Sequence, residues 1–523
     1  MQRWKVAFLL LFFGTASGAR EDKAHWREIA EQEVRDALSY TWNVRSAKNV
    51  VVFVGDGMSP DTIAASRIYR AGEGSYLAWE RFPHVGLLKT YNTDKQAPDS
   101  ASTATALFGG VKTNYNTHGV DANVAVDDCE ASLLPSNRVE SIVSWAQEAG
   151  KSTGFVTTTR VTHATPAPLY ASGSNRKWEC ESIMPESAKN CKDIARQLVE
   201  DKPGRNIKVI MGGGRQVLQT HVNATEADPI DTWACKRKDG RNLISAWVAD
   251  KKSRKATFSV VQTNEELRNV NHGETEFLLG VFANGHLPMD FKRDKGDGGQ
   301  PSLEDMTIAA IKVLRKNSEG FLLVVEGGLI DFAHHRGHAA QALLETVRLS
   351  DAVNATLRMV DLQDTLVVVT SDHTHSLAFN GNSPRGANIL GVAEVSKYDK
   401  VPYTTLTYGT GGPNNLAYEA YNNTAVRRDP TKENTTEFTY SQQATVITDE
   451  AHHGGGDVTV YASGPYAHLF HTTHEQNYVA YVVAYAAKIG PYVNHGSTKS
   501  QWNLVWLGSL ISLVMTFFAY YQL

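Results

Sequence analysis

Apolar residues gather in short unbroken runs closed by glycine or polar residues. They are NVVVFVGDG (49–57), STGFVTTT (152–159), NIKVIMGGG (206–214), GFLLVVEGG (320–328), DTLVVVTSDH (364–373) and DVTVYASG (457–464). Runs of this length without alternation suit strands buried on both faces of a mostly parallel sheet. Helical patterns lie between them, at 137–149, 191–200, 303–316 and 338–359. The alternation predicts an α/β fold, a large, mostly parallel central sheet with helices on both faces. Residues 382–449 break the pattern, being rich in Asn, Thr, Tyr, Gly and Pro. They are expected to form an insertion between two strands, with short strands at most. PDSASTATALFGG (98–110) reads as the opening of a helix, because Ser, Thr and Asp oxygens satisfy free N–H groups there. Ser102 and Thr103 are expected to serve that N-terminus and Thr105 to pack inside, while Ser100 stands at the tip.

The two ends carry patterns of their own. MQRWK, then VAFLLLFF, then GTASGAR has the basic start, short apolar core and small residues of a secretory leader, residues 1–18. The last twenty residues, LVWLGSLISLVMTFFAYYQL, are uncharged, and NHGSTKSQWN precedes them. Small residues, a polar spacer and an apolar tail form a GPI-attachment signal. The alternative, a transmembrane anchor, lacks a basic flank after the apolar run. Attachment at Asn494 would remove 495–523 and leave 19–494 as the mature domain; Gly496 is the alternative attachment residue. Secretion gives meaning to four cysteines, Cys129, Cys180, Cys191 and Cys235, which can pair in three ways. It also makes Asn223, Asn354, Asn422 and Asn434 candidate glycosylation sites. Of all residues, 42% are apolar, enough for a large core, and the formal net charge is -4 without a basic cluster. Nucleic-acid binding therefore has no electrostatic support.

Candidate chemistry stands where the strands end, the edge at which open α/β sheets place their sites. Asp56 follows the first run, Glu326 the run at 321–325, and Asp372 and His373 the run at 365–370. Asp331 and His335, four apart, share one face of a helix and can grip one ion. His453 precedes the last run in DEAHHGGGDV. One Asp after a strand is an ordinary turn residue, but four such ends together suit metal ligation. Nitrogen and oxygen donors with an open position suit catalytic zinc, and an all-oxygen set suits magnesium.

The motifs VVFVGDGM, PDSASTATA, VTTTRVTHATPA, NRKW, VEGGLID…HH, VVVTSDHTH and DEAHHGGGDVTVYASGP follow one another in an order that resembles the alkaline phosphatases, in particular the eukaryotic GPI-anchored ones. The resemblance runs from about residue 30 to 490. It implies hydrolysis of phosphate monoesters through a phosphoserine on Ser100, with two zinc ions and one magnesium. Asp331, His335 and His453 would hold one zinc. Asp56, Asp372, His373 and Ser100 would hold the other. Asp56, Thr165 and Glu326 would hold magnesium. Arg176 would clamp phosphate, with Asp99 orienting it, and His163 would stand near magnesium. His375, two residues after His373, is expected beside the zinc ligands. His334 and His452 each precede a proposed ligand. The four-residue spacing favours His335, and the register of HGGGDV favours His453.

The resemblance also implies a homodimer at the extracellular face of the plasma membrane, and a crown subdomain at 382–449. One family bridge maps onto Cys129–Cys191, which leaves Cys180 and Cys235 to each other. Vertebrate members build a calcium site partly from two carboxylates. Ala283 and Gln300 stand at those places, which puts calcium in doubt here. Asn382 replaces the crown tyrosine offered to a neighbouring subunit, whereas Glu450 matches a rim position. Other enzymes of the fold fit less well: DSASTAT lacks the Pro and Arg of the sulfatase motif. Phosphodiesterases use threonine and lack a third metal site. A non-catalytic receptor would have lost Ser100, Arg176 or a zinc ligand.

Overall fold

The computed structural model describes residues 21–493, so both terminal signals lie outside the described residues. The chain divides into two compact units at Trp42 and Asn43. In the first, a helix spans Lys23–Ser39, and the Asp22 carboxylate accepts from Ala24 N and His25 N at its start.

The second unit is built on ten strands. They are β1 (Asn49–Gly55), β2 (His84–Lys89), β3 (Ser152–Arg160), β4 (Val209–Gly213), β5 (Phe258–Val261), β6 (Phe277–Val281), β7 (Phe321–Gly327), β8 (Thr365–Ser371), β9 (Val458–Ser463) and β10 (Thr472–Glu475). Their order across the sheet is β10-β2-β9-β8-β1-β7-β3-β4-β6-β5. β1 lies in the middle, parallel to both β7 and β8. Only β9 runs against its neighbours, β8 and β2. Successive side chains of a strand point to opposite faces, and β1 divides accordingly. Val50, Val52 and Val54 enter one apolar core, and Val51 and Phe53 enter the other. A strand sealed on both faces needs an unbroken apolar run, which is why these six were legible.

Four strands were not expected: β2, β5, β6 and β10. β2 alternates buried and exposed positions over six residues, and β5 and β10 are four-residue strands at the two edges. Two helices begin later than their patterns. Ser141 caps a helix over Ile142–Glu148 instead of 137–149, and Asp193 caps Ile194–Glu200 instead of 191–200. The disulfides are Cys129–Cys191 and Cys180–Cys235. All four sequon asparagines, Asn223, Asn354, Asn422 and Asn434, are exposed.

Within 382–449, Leu406–Gly411 pairs with Ala444–Ile447, and Tyr418–Tyr421 forms a hairpin with Thr424–Arg427. Leu390, Leu406 and Tyr408 from this stretch pack with Ala65 and Leu343 of the main-sheet helices. Asn382 donates to Glu394 rather than reaching outward alone.

Candidate active site

The carboxyl ends of β1, β3, β7 and β8 converge, and the chain that follows each carries polar side chains into one crevice. Asp56 follows β1 and is fully buried. Gly57 next to it has φ +67°, and a Cβ there would stand 2.9 Å from Asp331 Oδ1. Only glycine permits both the turn and the close approach of these two acids.

Ser100 opens the helix Ser100–Gly109, and Asp99 is its N-cap, accepting from Ala101 N. The cap differs from expectation. Ser102 and Thr103 do not serve free N–H groups; their hydroxyls donate back to Asp99 O at 3.0 and 3.1 Å. Thr105 is buried as expected, donating to Ala101 O and accepting from Gly119 N. That leaves the Ser100 hydroxyl aimed outward, 3.2 Å from His373 Nε2 and 3.5 Å from Asp56 Oδ1. Asp99 Oδ2 also receives Arg176 Nη1 at 3.1 Å, and Asp99 Oδ1 receives Asn116 N. Burial works against the Arg176 charge, but Asp99 and then Asp56 hold its pKa above the usual arginine value.

Three groups of donor atoms face one another: Asp331, His335, His375 and His453; Asp56, His163 and Glu326; and Asp56, Asp331 and His373. The first contains the three expected zinc ligands, with His375 beside them. Hydrogen bonds set the tautomers. His335 Nδ1 lies 2.7 Å from Ala451 O, His453 Nδ1 2.8 Å from Pro98 O, and His373 Nδ1 3.1 Å from Thr374 O. Each Nδ1 therefore carries a proton, and each Nε2 faces into the crevice. His335 Nε2 stands 3.1 Å from His453 Nε2 and 3.1 Å from Asp331 Oδ2, so one proton or one cation can bridge the three atoms. His375 differs, because its Nδ1 accepts from Ser376 N. Its Nε2 thus holds a proton and offers no lone pair; it stands 3.6 Å from Asp331 Oδ1, outside hydrogen-bond reach.

The second group fits a hard cation. Asp56 Oδ2, Glu326 Oε1, Thr165 Oγ1 and His163 Nδ1 are sealed from solvent and have no hydrogen-bond partner. Buried polar atoms are seldom left so, and four of them mark a site for an ion. Thr157 and Thr159, from the TTT that ends β3, hold the other oxygen of Glu326. That triplet belongs to one of the family motifs, yet its sequence alone assigns it no role. Burial pushes Glu326 up to about 7. Asp56 is raised by burial first, then by Asp372, Asp331 and Glu326. Burial alone would lower His335, but Asp331 beside it carries it up to about 9. In that pair a proton supplies the positive charge.

Of the neighbouring histidines, His334 turns away, its nitrogens 2.8 Å from Tyr408 OH and 3.0 Å from Thr62 Oγ1. His452 is exposed and paired with Asp449. His335 and His453 are the ones that enter the cluster. Glu450 lies at its rim, 3.4 Å from His335 Nδ1.

Fold and donor set define the class, an α/β enzyme whose sheet edge is built to hold cations beside a serine and an arginine. The comparisons carry this further. The alkaline phosphatase family model matches residues 47–489. The chain is 42% identical over 513 residues to the tissue-nonspecific alkaline phosphatase of Gallus gallus, covering 95% of this chain and 96% of that one. It is 39% identical over 491 residues to the membrane-bound alkaline phosphatase of Bombyx mori, covering 91% and 87%. The chain belongs to the alkaline phosphatase family and is a phosphomonoester hydrolase. The fold is likewise shared with the Thermus thermophilus alkaline phosphatase, at TM-score 0.60, 24% identity and coverage of 86% and 92%. Among the described residues, no helix is long and apolar enough to cross a membrane.

Proposed function

We propose that the enzyme works through a phosphoserine on Ser100. The observation that carries this reading is the Ser100 hydroxyl at a helix tip, between the inward donors of His373 and Asp56 and beside the Asp99–Arg176 pair. Asp331, His335 and His453 would hold one zinc, Asp56, Asp372, His373 and Ser100 a second, and Asp56, Thr165 and Glu326 a magnesium. When bound, such ions stabilise the Ser100 alkoxide and offset the charge of the phosphate.

The protein's own groups do the rest. Arg176 offers a planar fork to two non-bridging phosphate oxygens, and Asp99 fixes that fork in place. The helix N-terminus adds backbone dipoles directed at the phosphate. Ser100 Oγ bonds to phosphorus as the ester P–O bond breaks and the alcohol leaves. Water then breaks the serine–phosphate bond, releasing phosphate and restoring the hydroxyl. The reading is tested with a chromogenic phosphate monoester. Arg176→Ala is expected to lower kcat/KM about 10- to 100-fold, the worth of a charge-assisted bidentate contact. Arg176→Lys should recover only part of it. Full activity in either variant would remove Arg176 from the clamp.

The same reading places the mature chain on the extracellular face of the plasma membrane, held by a GPI anchor and paired as a homodimer. It rests on the leader and tail patterns and on the resemblance. Release from membranes by a phosphatidylinositol-specific phospholipase, at twice the mass of one chain, is the expected result. A released monomer would exclude the dimer, and retention of the apolar tail would exclude the anchor.

A further inference from the structure

The amino ends of the strands carry a charge that the phosphatase reading does not use. A groove of about 630 Å³ opens there, lined by Lys151, Lys208, Arg254, Lys255 and Lys316 against one acid, Glu276. Lys151, Lys208 and Glu276 stand directly before β3, β4 and β6, which run parallel. The catalytic crevice lies at the carboxyl ends of the same sheet, so crevice and groove occupy opposite ends of it.

Local contacts hold these cations in place and leave protons free. A lysine ammonium has three donors. Lys151 Nζ gives two of them to carbonyls, Lys48 O at 2.9 Å and Glu319 O at 2.8 Å. Lys316 Nζ likewise donates to Gly273 O and Thr275 O. Each keeps a third. Burial lowers the pKa of both lysines, whose hydrogen bonds go to neutral carbonyls. Lys208 pairs with Glu276, and Arg254 with Asp250. These two acids answer two of the five charges. Lys255 is exposed and follows the helix Leu243–Ser253 at φ +54°, a left-handed position that glycine usually fills at a helix end. A lysine there strains the backbone and adds a charge to the groove.

The end of the described chain lies on the same side. Ala47 N donates to Ala486 O at 2.7 Å, and the next residue, Lys48, is the one that holds Lys151. Gly490 lies against Trp145, where a Cβ would stand 2.5 Å from the indole. Gln147, on the same helix as Trp145, lines the groove. The described residues end at Val493. Asn494 and Gly496, the two candidate attachment residues, are one and three residues further on.

We propose that this groove seats on the membrane surface and takes the phosphates of anionic lipid headgroups. The choice of ligand rests on the anchor reading. A sulfated polysaccharide is another polyanion found outside cells, but a tether at this end brings lipid to the groove. Tether and cations on one side would hold the enzyme with its crevice turned away from the bilayer, open to substrates in solution.

The test uses the zinc- and magnesium-loaded enzyme ended by a stop after Asn494, which keeps every described residue and needs no anchor. It is sedimented at about 0.1 M salt with phosphatidylcholine vesicles, with and without phosphatidylserine. Binding is expected only where phosphatidylserine is present, and more salt should weaken it. Lys255→Gln should weaken it about 5-fold, and Lys208→Gln together with Lys255→Gln about 25-fold. Both variants should hydrolyse a soluble monoester as the wild type does. No binding by the wild type, or equal binding by the double variant, overturns the proposal. Retention on heparin that the double variant loses, without any vesicle binding, also overturns it and makes the occupant a sulfated polysaccharide. Failure of the anchor reading shows separately, as native enzyme that a phosphatidylinositol-specific phospholipase does not release.

Discussion

Ser100→Ala is expected to lower kcat/KM for a phosphate monoester by about 1,000-fold or more, while the chain folds as before. The size follows from removing a nucleophile whose partners remain in place. The unchanged fold follows from local contacts. The Ser100 side chain faces only His373 and Asp56, and the helix start depends on the Asp99 carboxylate. Thr103 hydrogen-bonds the carbonyl of Ser100, not its hydroxyl, so alanine leaves that contact intact. Alanine is also the better helix former. The variant should keep its secondary structure, while the second zinc, which loses one of its four ligands, should be held more weakly. Acid quenching should trap covalent phosphate on the wild type and none on the variant. Undiminished turnover, or phosphate trapped on the variant, would assign the attack to another group.

How the site is read from sequence depends on what each signal measures. Asp56, Glu326, Asp372 and His373 stand directly after long apolar strands, so locating the strands located them. Asp331 and His335 were visible from their spacing alone. The thirteen residues around Ser100 were ambiguous, because capping and nucleophilic attack ask for the same residue types. The structure separates the two roles by giving the cap to Asp99. Thr157 and Thr159 act on Glu326 across two neighbouring strands, β3 and β7, and no local pattern encodes that pairing. The role of His375 turns on which of its nitrogens accepts from Ser376 N, which spacing does not contain. The edge strands escaped notice for a related reason. A half-exposed strand of four to six residues has too few apolar positions to stand out from a loop. β2 and β10 are such strands.

Asp56→Asn is expected to have opposite effects on the metal-loaded and metal-free protein. Asp56 is the one residue shared by the donor group facing Ser100 and His373 and the group facing Glu326 and His163. The amide keeps one oxygen and carries no charge, so one ion loses its ligand and the other is left with a weaker, neutral one. Zinc and magnesium content should fall together, and activity should drop about 100-fold or more. In the metal-free chain the sign reverses. Asp56, Glu326, Asp331 and Asp372 are all nearly or fully buried, and like charges held this close in a dry crevice repel. A neutral amide in place of the Asp56 carboxylate relieves part of that repulsion, so the metal-free variant should unfold at a higher temperature than the metal-free wild type. With ions restored the wild type should be the more stable of the two, since a ligand that binds only the folded state stabilises it. Chelation of the wild type should abolish turnover, and zinc with magnesium should restore it. Calorimetry of both proteins, with and without ions, reads the crossing directly. A variant less stable than wild type in both states would mean that Asp56 is held by something other than the cations it is assigned to bind.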